Sequence, residues 1–195
     1  MNTDLSNRQL EIINVSLELI AEKGIQGLTI KNLAKKIGFS ESAIYRHFDN
    51  KIQILIGVLN HFEGISEQFF KQEMENDADS ITKIEHLFLL YFNTFSMHPS
   101  IVAVIFSEEI FRNETVLLEK VAEVMKGNSS KIIEILEKGQ RKGEVRFDII
   151  PSHLAIIILG SLRMFVSQWH LSRYSYDISE KGSDFIQSIK TLIST

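Results

Sequence analysis

Cysteine is absent from the 195 residues. That absence removes disulfides, thiolate metal sites and cysteine nucleophiles together, and it fits a reducing compartment. Proline occurs twice and glycine ten times, so little interrupts long helices. No basic leader followed by an apolar run opens "MNTDLSNRQLEII", and the expectation is a cytoplasmic protein without a signal peptide. The most apolar run, 153–171, carries Arg163 near its middle with Gln168 and His170 beyond it. A buried helix is therefore expected there, and no membrane partner. There is no Gly-x-Ser-x-Gly elbow, no Walker loop and no dinucleotide fingerprint, so an enzyme is not expected. The six histidines include His61 near Glu63 and Glu67, and His86 beside Glu85. None forms the i,i+4 histidine pair that a zinc site favours, so neither a metal nor another cofactor is expected.

What is present is an ordinary globular composition with an uneven charge. Hydrophobic residues make up 44% and charged residues 24%, and the formal net charge is -4, which suits one large domain or two small ones. Residues 1–60 hold seven Lys+Arg and six Asp+Glu, whereas 61–195 hold 14 and 19. Between 29 and 51 the basic residues are Lys31, Lys35, Lys36, Arg46 and Lys51, against Glu41 and Asp49. Only this patch can attract phosphate; the acidic remainder is repelled by it. The polarity points to a small head facing nucleic acid on a larger body.

Apolar residues recur at helical spacing from the start: Leu10, Ile13, Leu17 and Ile20. Gly24 ends that helix. Thr29 caps "IKNLAKKI", Gly38 breaks it, and Ser40 caps a third short helix that stops near Phe48. A fourth helix is predicted from residue 49 or 50 to about 75, with "ENDADS" a loop after it. Further helices are predicted at 81–97, 100–112, 114–142 (frayed at "KGNSS"), 152–173 and 179–193. Pro99 and Pro151 stand at or just before helix starts, where proline is tolerated. No sustained period-two alternation occurs, and the expected class is all-α. Its parts are a three-helix head, a long joining helix and a helical ligand-binding and dimerisation body, divided as 1–50 and 51–195.

Two helices crossing at a sharp angle need a small residue at their contact, a left-handed turn residue and a branched apolar plug. Ala34, Gly38 and Ile44 supply these at offsets of 0, 4 and 10, the spacing of a DNA-binding helix-turn-helix. With Ile44 and Phe48 inward, the third helix exposes Glu41, Ser42, Ala43, Tyr45, Arg46 and His47. Hydroxyls, a phenol, an imidazole and a guanidinium suit phosphate oxygens and base edges.

Residues 9–55 resemble the N-terminal domain of the tetracycline-repressor (TetR) family of bacterial transcriptional regulators. The resemblance lies in the Glu-Lys-Gly end of the first helix, Leu-Thr-Ile opening the second, "IYRHFDNK" after "GFS", and Lys51. It implies that Thr29, Ser40, Tyr45, His47 and Lys51 contact DNA phosphates, with Lys31 in the basic patch beside them. It places Ser42, Ala43 and Arg46 nearest the bases. Ser42 stands where the family often has glycine, and Glu41 where lysine is frequent. Glu41 repels phosphate but can accept from cytosine N4, so the operator is not transferable from relatives.

The body is rich in aromatic residues, and the family resemblance implies that some line a cavity for a small hydrophobic or amphipathic effector. Phe62, Phe88, Tyr91, Phe92, Phe95, Phe106, Arg163 and Trp169 are the candidates. A recognition helix this short implies two heads on double-stranded DNA with a palindromic operator, hence a homodimer. Ile156, Leu159, Gly160, Phe165, Val166, Phe185, Ile189 and Leu192 are the expected four-helix dimer seam. The function expected is a regulator, a repressor released from DNA by its effector. A division- or nucleoid-associated DNA-binding protein and a helical lipid-binding module remain as alternatives.

Overall fold

The computed structural model describes residues 5–106 and 114–195. In chain order these form α1 (Asn7–Gly27), α2 (Ile30–Ile37), α3 (Glu41–Tyr45), α4 (Lys51–Glu75), α5 (Ser80–Met97), α6 (Pro99–Ile105), α7 (Thr115–Lys142), α8 (Pro151–Leu171) and α9 (Ile178–Ile193). The fold is all-α; the described residues add one isolated bridge, Val145 to Ser194. The latter part of the helix expected over 100–112, with Phe111, lies outside the described residues.

Side-chain caps set most of the helix starts. Ser6 and Gln9 form a reciprocal capping box on α1. Thr29 accepts from the Asn32 amide, and Ser40 from the Ala43 amide. The Asp79 carboxylate takes both the Thr82 amide and its hydroxyl, at 2.9 and 2.7 Å, and these bonds hold it below the usual carboxylate range. Asp177 caps α9, and Pro151 occupies the first turn of α8. Gly24, at φ 67°, breaks α1 where the sequence predicts its end, but a last turn resumes through Gly27. α7 runs through "KGNSS" without fraying.

The chain divides into two compact units, residues 1–64 with 99–122 and residues 65–98 with 123–195. The first unit extends past residue 50 because α1 packs against α6 as well as α2, and α2 against α3. Its core is Ile12, Ile13, Leu33, Ile44, Ile54, Leu55 and Val102, all fully buried. At its edge Lys120 pairs with Glu63 at 2.7 Å.

In the second unit α9 packs on α5 and α8. A Cβ added at Gly182 would lie 2.4 Å from the Phe92 ring, so this glycine sets the approach of α9 to α5. Aromatic rings fill the space: Phe165 stacks on Phe185 at 4.6 Å and leans on Phe92 at 5.4 Å. α8 is the one described helix long and apolar enough to cross a membrane, with a third of its most apolar window buried. It is not buried all round, as its composition suggests. Leu154, Ala155, Ile158, Leu162, Val166 and Trp169 face the core, while Ile156, Ile157, Met164 and Leu171 are exposed.

Candidate nucleic-acid interface

The turn between α2 and α3 is built as the spacing predicts. Gly38 adopts φ 84° and ψ 29°, and the amides of Gly38 and Phe39 both donate to the Ala34 carbonyl, at 2.9 and 2.8 Å. Ala34 and Ile44 are buried at the helix crossing, with Leu33 and Phe48 beside them. A left-handed residue that ends one helix and a serine cap that starts the next fix the angle between them.

That angle decides what α3 shows. Glu41, Ser42, Tyr45 and Arg46 are exposed, while Ala43 and His47 are half-buried. The regular helix is five residues long and closes in a turn in which the His47 and Phe48 amides reach the Ile44 carbonyl. Ser40 Oγ accepts from the Ala43 amide at 3.3 Å and lies 2.9 Å from Ser42 Oγ. Thr29 Oγ1 accepts from the Asn32 amide at 3.1 Å. A hydroxyl that accepts in a cap keeps its own proton, so Thr29 and the Ser40–Ser42 pair can each still donate outward. Asn32, which the sequence reading passed over, ties α2 back by donating to the Gly27 carbonyl at 2.9 Å.

The cations divide into two groups. Lys31, Lys35 and Arg46 are exposed and make no ion pair among the described residues. Lys36 instead pairs with Glu22 and, at 3.3 Å, with Glu18 on α1. Lys51 donates to the Ile25 carbonyl at 3.0 Å, and partial burial pushes its ammonium down from the usual lysine range. Its first role is thus to tie the start of α4 to the end of α1. Nothing local in the sequence marks these partners, which lie 14 to 26 positions away.

The effector candidates fall in both units. Phe62 is buried and Phe106 half-buried in the first. Phe88, Tyr91, Phe92, Phe95 and Trp169 are buried in the second, with Arg163 half-buried. Tyr91 stacks on Phe95 at 6.0 Å and meets Phe69 edge-on at 5.6 Å. Its phenol bonds to the Ser66 hydroxyl, which donates to Asn128 Oδ1 at 3.0 Å. Burial pushes the phenol up to about 12. Ser66 and Asn128 were not foreseen: one serine and one asparagine on separate helices carry no pattern in sequence. Glu73, buried beside His86 Nδ1 at 3.0 Å, was missed for the same reason.

The expected dimer seam is corrected in part. Val166 and Ile189, at 0% and 5% exposure, belong to the chain's own core, while Phe165 and Phe185 stack on each other and stay half-buried. Leu159 is half-buried, whereas Ile156, Gly160 and Leu192 do face outward. The exposed apolar stripe is Ile156, Ile157, Met164 and Leu171 with Gly160 open at its centre. An apolar run with no polar face gives no phase, so the sequence could not say which stripe is the core.

Residues 12–58 match the profile of the bacterial regulatory proteins of the tetR family, and residues 47–193 that of the YsiA-like protein C-terminal region. The fatty acid metabolism regulator protein of Bacillus subtilis (strain 168) is 27% identical over 173 residues, 88% of each chain. The nucleoid occlusion factor SlmA of Aliivibrio fischeri (strain MJ11) is 24% identical over 181 residues, 92% of each chain. Among solved structures, the fatty acid degradation regulator FadR from Bacillus halodurans superposes with a TM-score of 0.83 at 23% identity, covering 96% of this chain and 94% of its own. The regulator FadR from Bacillus subtilis, determined in complex with stearoyl-CoA, gives 0.78 at 22% identity, covering 94% and 96%. These two superpositions establish the fold.

Proposed function

Because this chain belongs to the TetR family of bacterial regulatory proteins, we propose that it represses transcription from a palindromic operator as a cytoplasmic homodimer, and that a long-chain acyl thioester releases it. DNA binding and control by a small molecule are the family's own business. The acyl class is drawn from the relatives concerned with fatty acid metabolism and with stearoyl-CoA. The aromatic interior of the second unit supports it, since apolar walls suit an acyl chain. The hydrogen-bonded Tyr91–Ser66–Asn128 group is a polar feature of that interior with which a thioester carbonyl could exchange a bond.

The single observation that carries the reading is the α3 surface. A buried Ala34–Ile44 crossing and a left-handed Gly38 present Ser42, Tyr45 and Arg46 together. In the dimer, the α8 stripe of Ile156, Ile157, Gly160, Met164 and Leu171 meets its mate. α9 contributes Leu192 from an otherwise polar outer face.

The test is selection of duplexes from a random pool by the intact protein, followed by titration of the bound complex with stearoyl-CoA and with free CoA. Enrichment of an inverted repeat, and at least about a fivefold loss of affinity with the acyl form alone, is expected. An enriched site lacking two-fold symmetry would sink the palindrome, and equal binding with and without the thioester would sink the effector. That second result would favour the nucleoid-occlusion reading suggested by the SlmA relatives.

A further inference from the structure

Arg8 stands in the first turn of α1, a helix start fixed by the Ser6–Gln9 capping box. A cation there lies at the positive end of the helix dipole, against its electrostatic preference. Such a placement is unfavourable for the fold and invites a functional reading. The guanidinium lies over the Phe39 ring, 4.7 Å from its centroid. Phe39 is anchored by its amide to the Ala34 carbonyl and directly precedes Ser40, the cap of α3. Arg8 is therefore held over the residue that immediately precedes the cap of the recognition helix. Stacking on an aromatic face leaves the in-plane N–H donors of a guanidinium available.

Arg8 Nη1 bonds to Glu11, an exposed pair one helical turn away. An exposed i,i+3 pair contributes little and is readily exchanged for a stronger anion. The charge inventory of the head gives this weight. Lys36 is neutralised by Glu18 and Glu22, and Lys51 is turned to the Ile25 carbonyl. The patch read from residues 29–51 is thus poorer in outward cations than its count suggests.

We infer that Arg8 is a phosphate-contacting residue of the DNA interface, presented by the Phe39 ring and held in reserve by Glu11. The inference rests on the DNA-binding reading of the head. It adds a contact from α1, outside the helix-turn-helix, and gives Glu11 the role of a competitor for the same cation.

The experiment uses the intact protein on its selected duplex and on an unrelated duplex, with affinity measured across a salt series and thermal melting run alongside. Arg8→Gln is expected to weaken both complexes and to reduce the salt slope by about one. Its melting temperature should stay at or above that of the wild type. Arg8→Lys should retain the slope, and Glu11→Gln should tighten binding. Unchanged affinity and slope in Arg8→Gln would overturn the inference, as would a lowered melting temperature with the slope intact. If Arg8→Gln fails to fold, Glu11→Gln decides, and no tightening there overturns it. Arg46→Gln is the control: weakening there without weakening in Arg8→Gln defeats this inference alone. A wild type that binds no duplex defeats the head's reading with it.

Discussion

Tyr45 is half exposed at the end of α3, directly after the buried Ile44. A phenol so placed can donate to a phosphate without disturbing the fold. Tyr45→Phe should therefore weaken operator binding by about 1 kcal/mol, roughly fivefold, with an unchanged melting curve. Lys51 behaves differently, since its ammonium already serves the Ile25 carbonyl. Lys51→Ala is expected to destabilise the protein by about 1 kcal/mol, seen in denaturant melts, whatever it does to DNA affinity. Tyr91 offers a third residue-scale test through pH. Burial raises its phenol from 10.0 to about 12, so the folded state favours the neutral form. That contribution is intact below pH 10 and is lost as pH climbs from there toward 12. Tyr91→Phe should cost about 1 kcal/mol at neutral pH by removing one of the two hydrogen bonds of Ser66 and leaving it only Asn128. Melts at pH 8 and pH 11 should show the gap between wild type and variant narrowing at the higher value.

At the scale of elements, close approach and exposed stripes make the predictions. α9 meets α5 at Gly182, where a methyl group would intrude on the Phe92 ring. Gly182→Ala should destabilise by about 1–3 kcal/mol in a denaturant titration, the usual cost of overpacking. Met164, 62% exposed on α8, should accept glutamate without loss of helicity. Met164→Glu is expected to yield monomers in sedimentation that no longer bind the operator; a stable dimer would remove α8 from the interface. Elements were legible in the sequence where chemistry is local. Thr29, Ser40 and Gly38 announce α2 and α3 because caps and left-handed turns depend on one residue each. The outward face of α8 was not legible, because Ile156, Ile157, Ile158 and Leu159 look alike until a neighbour chooses among them. Lys36 and Lys51 read as DNA cations for the same reason, their partners being fixed by tertiary packing.

The molecule as a whole mixes near and distant segments in its first unit, where α1 packs on α6 across more than seventy positions of chain. Only the helix-turn-helix itself is local. A fragment ending at residue 60 should therefore melt at lower temperature and less cooperatively than the intact chain, as circular dichroism would show. The same packing has a consequence in time. During synthesis the helices that read DNA emerge first, yet the surface on which α1 rests is about fifty residues behind Lys51. At roughly 5–20 residues per second, that interval is about three to ten seconds. A nascent head would spend it incomplete, with part of α1 open to solvent and chaperones. The first unit is thus completed only after α5, a helix of the second unit, has already been synthesised.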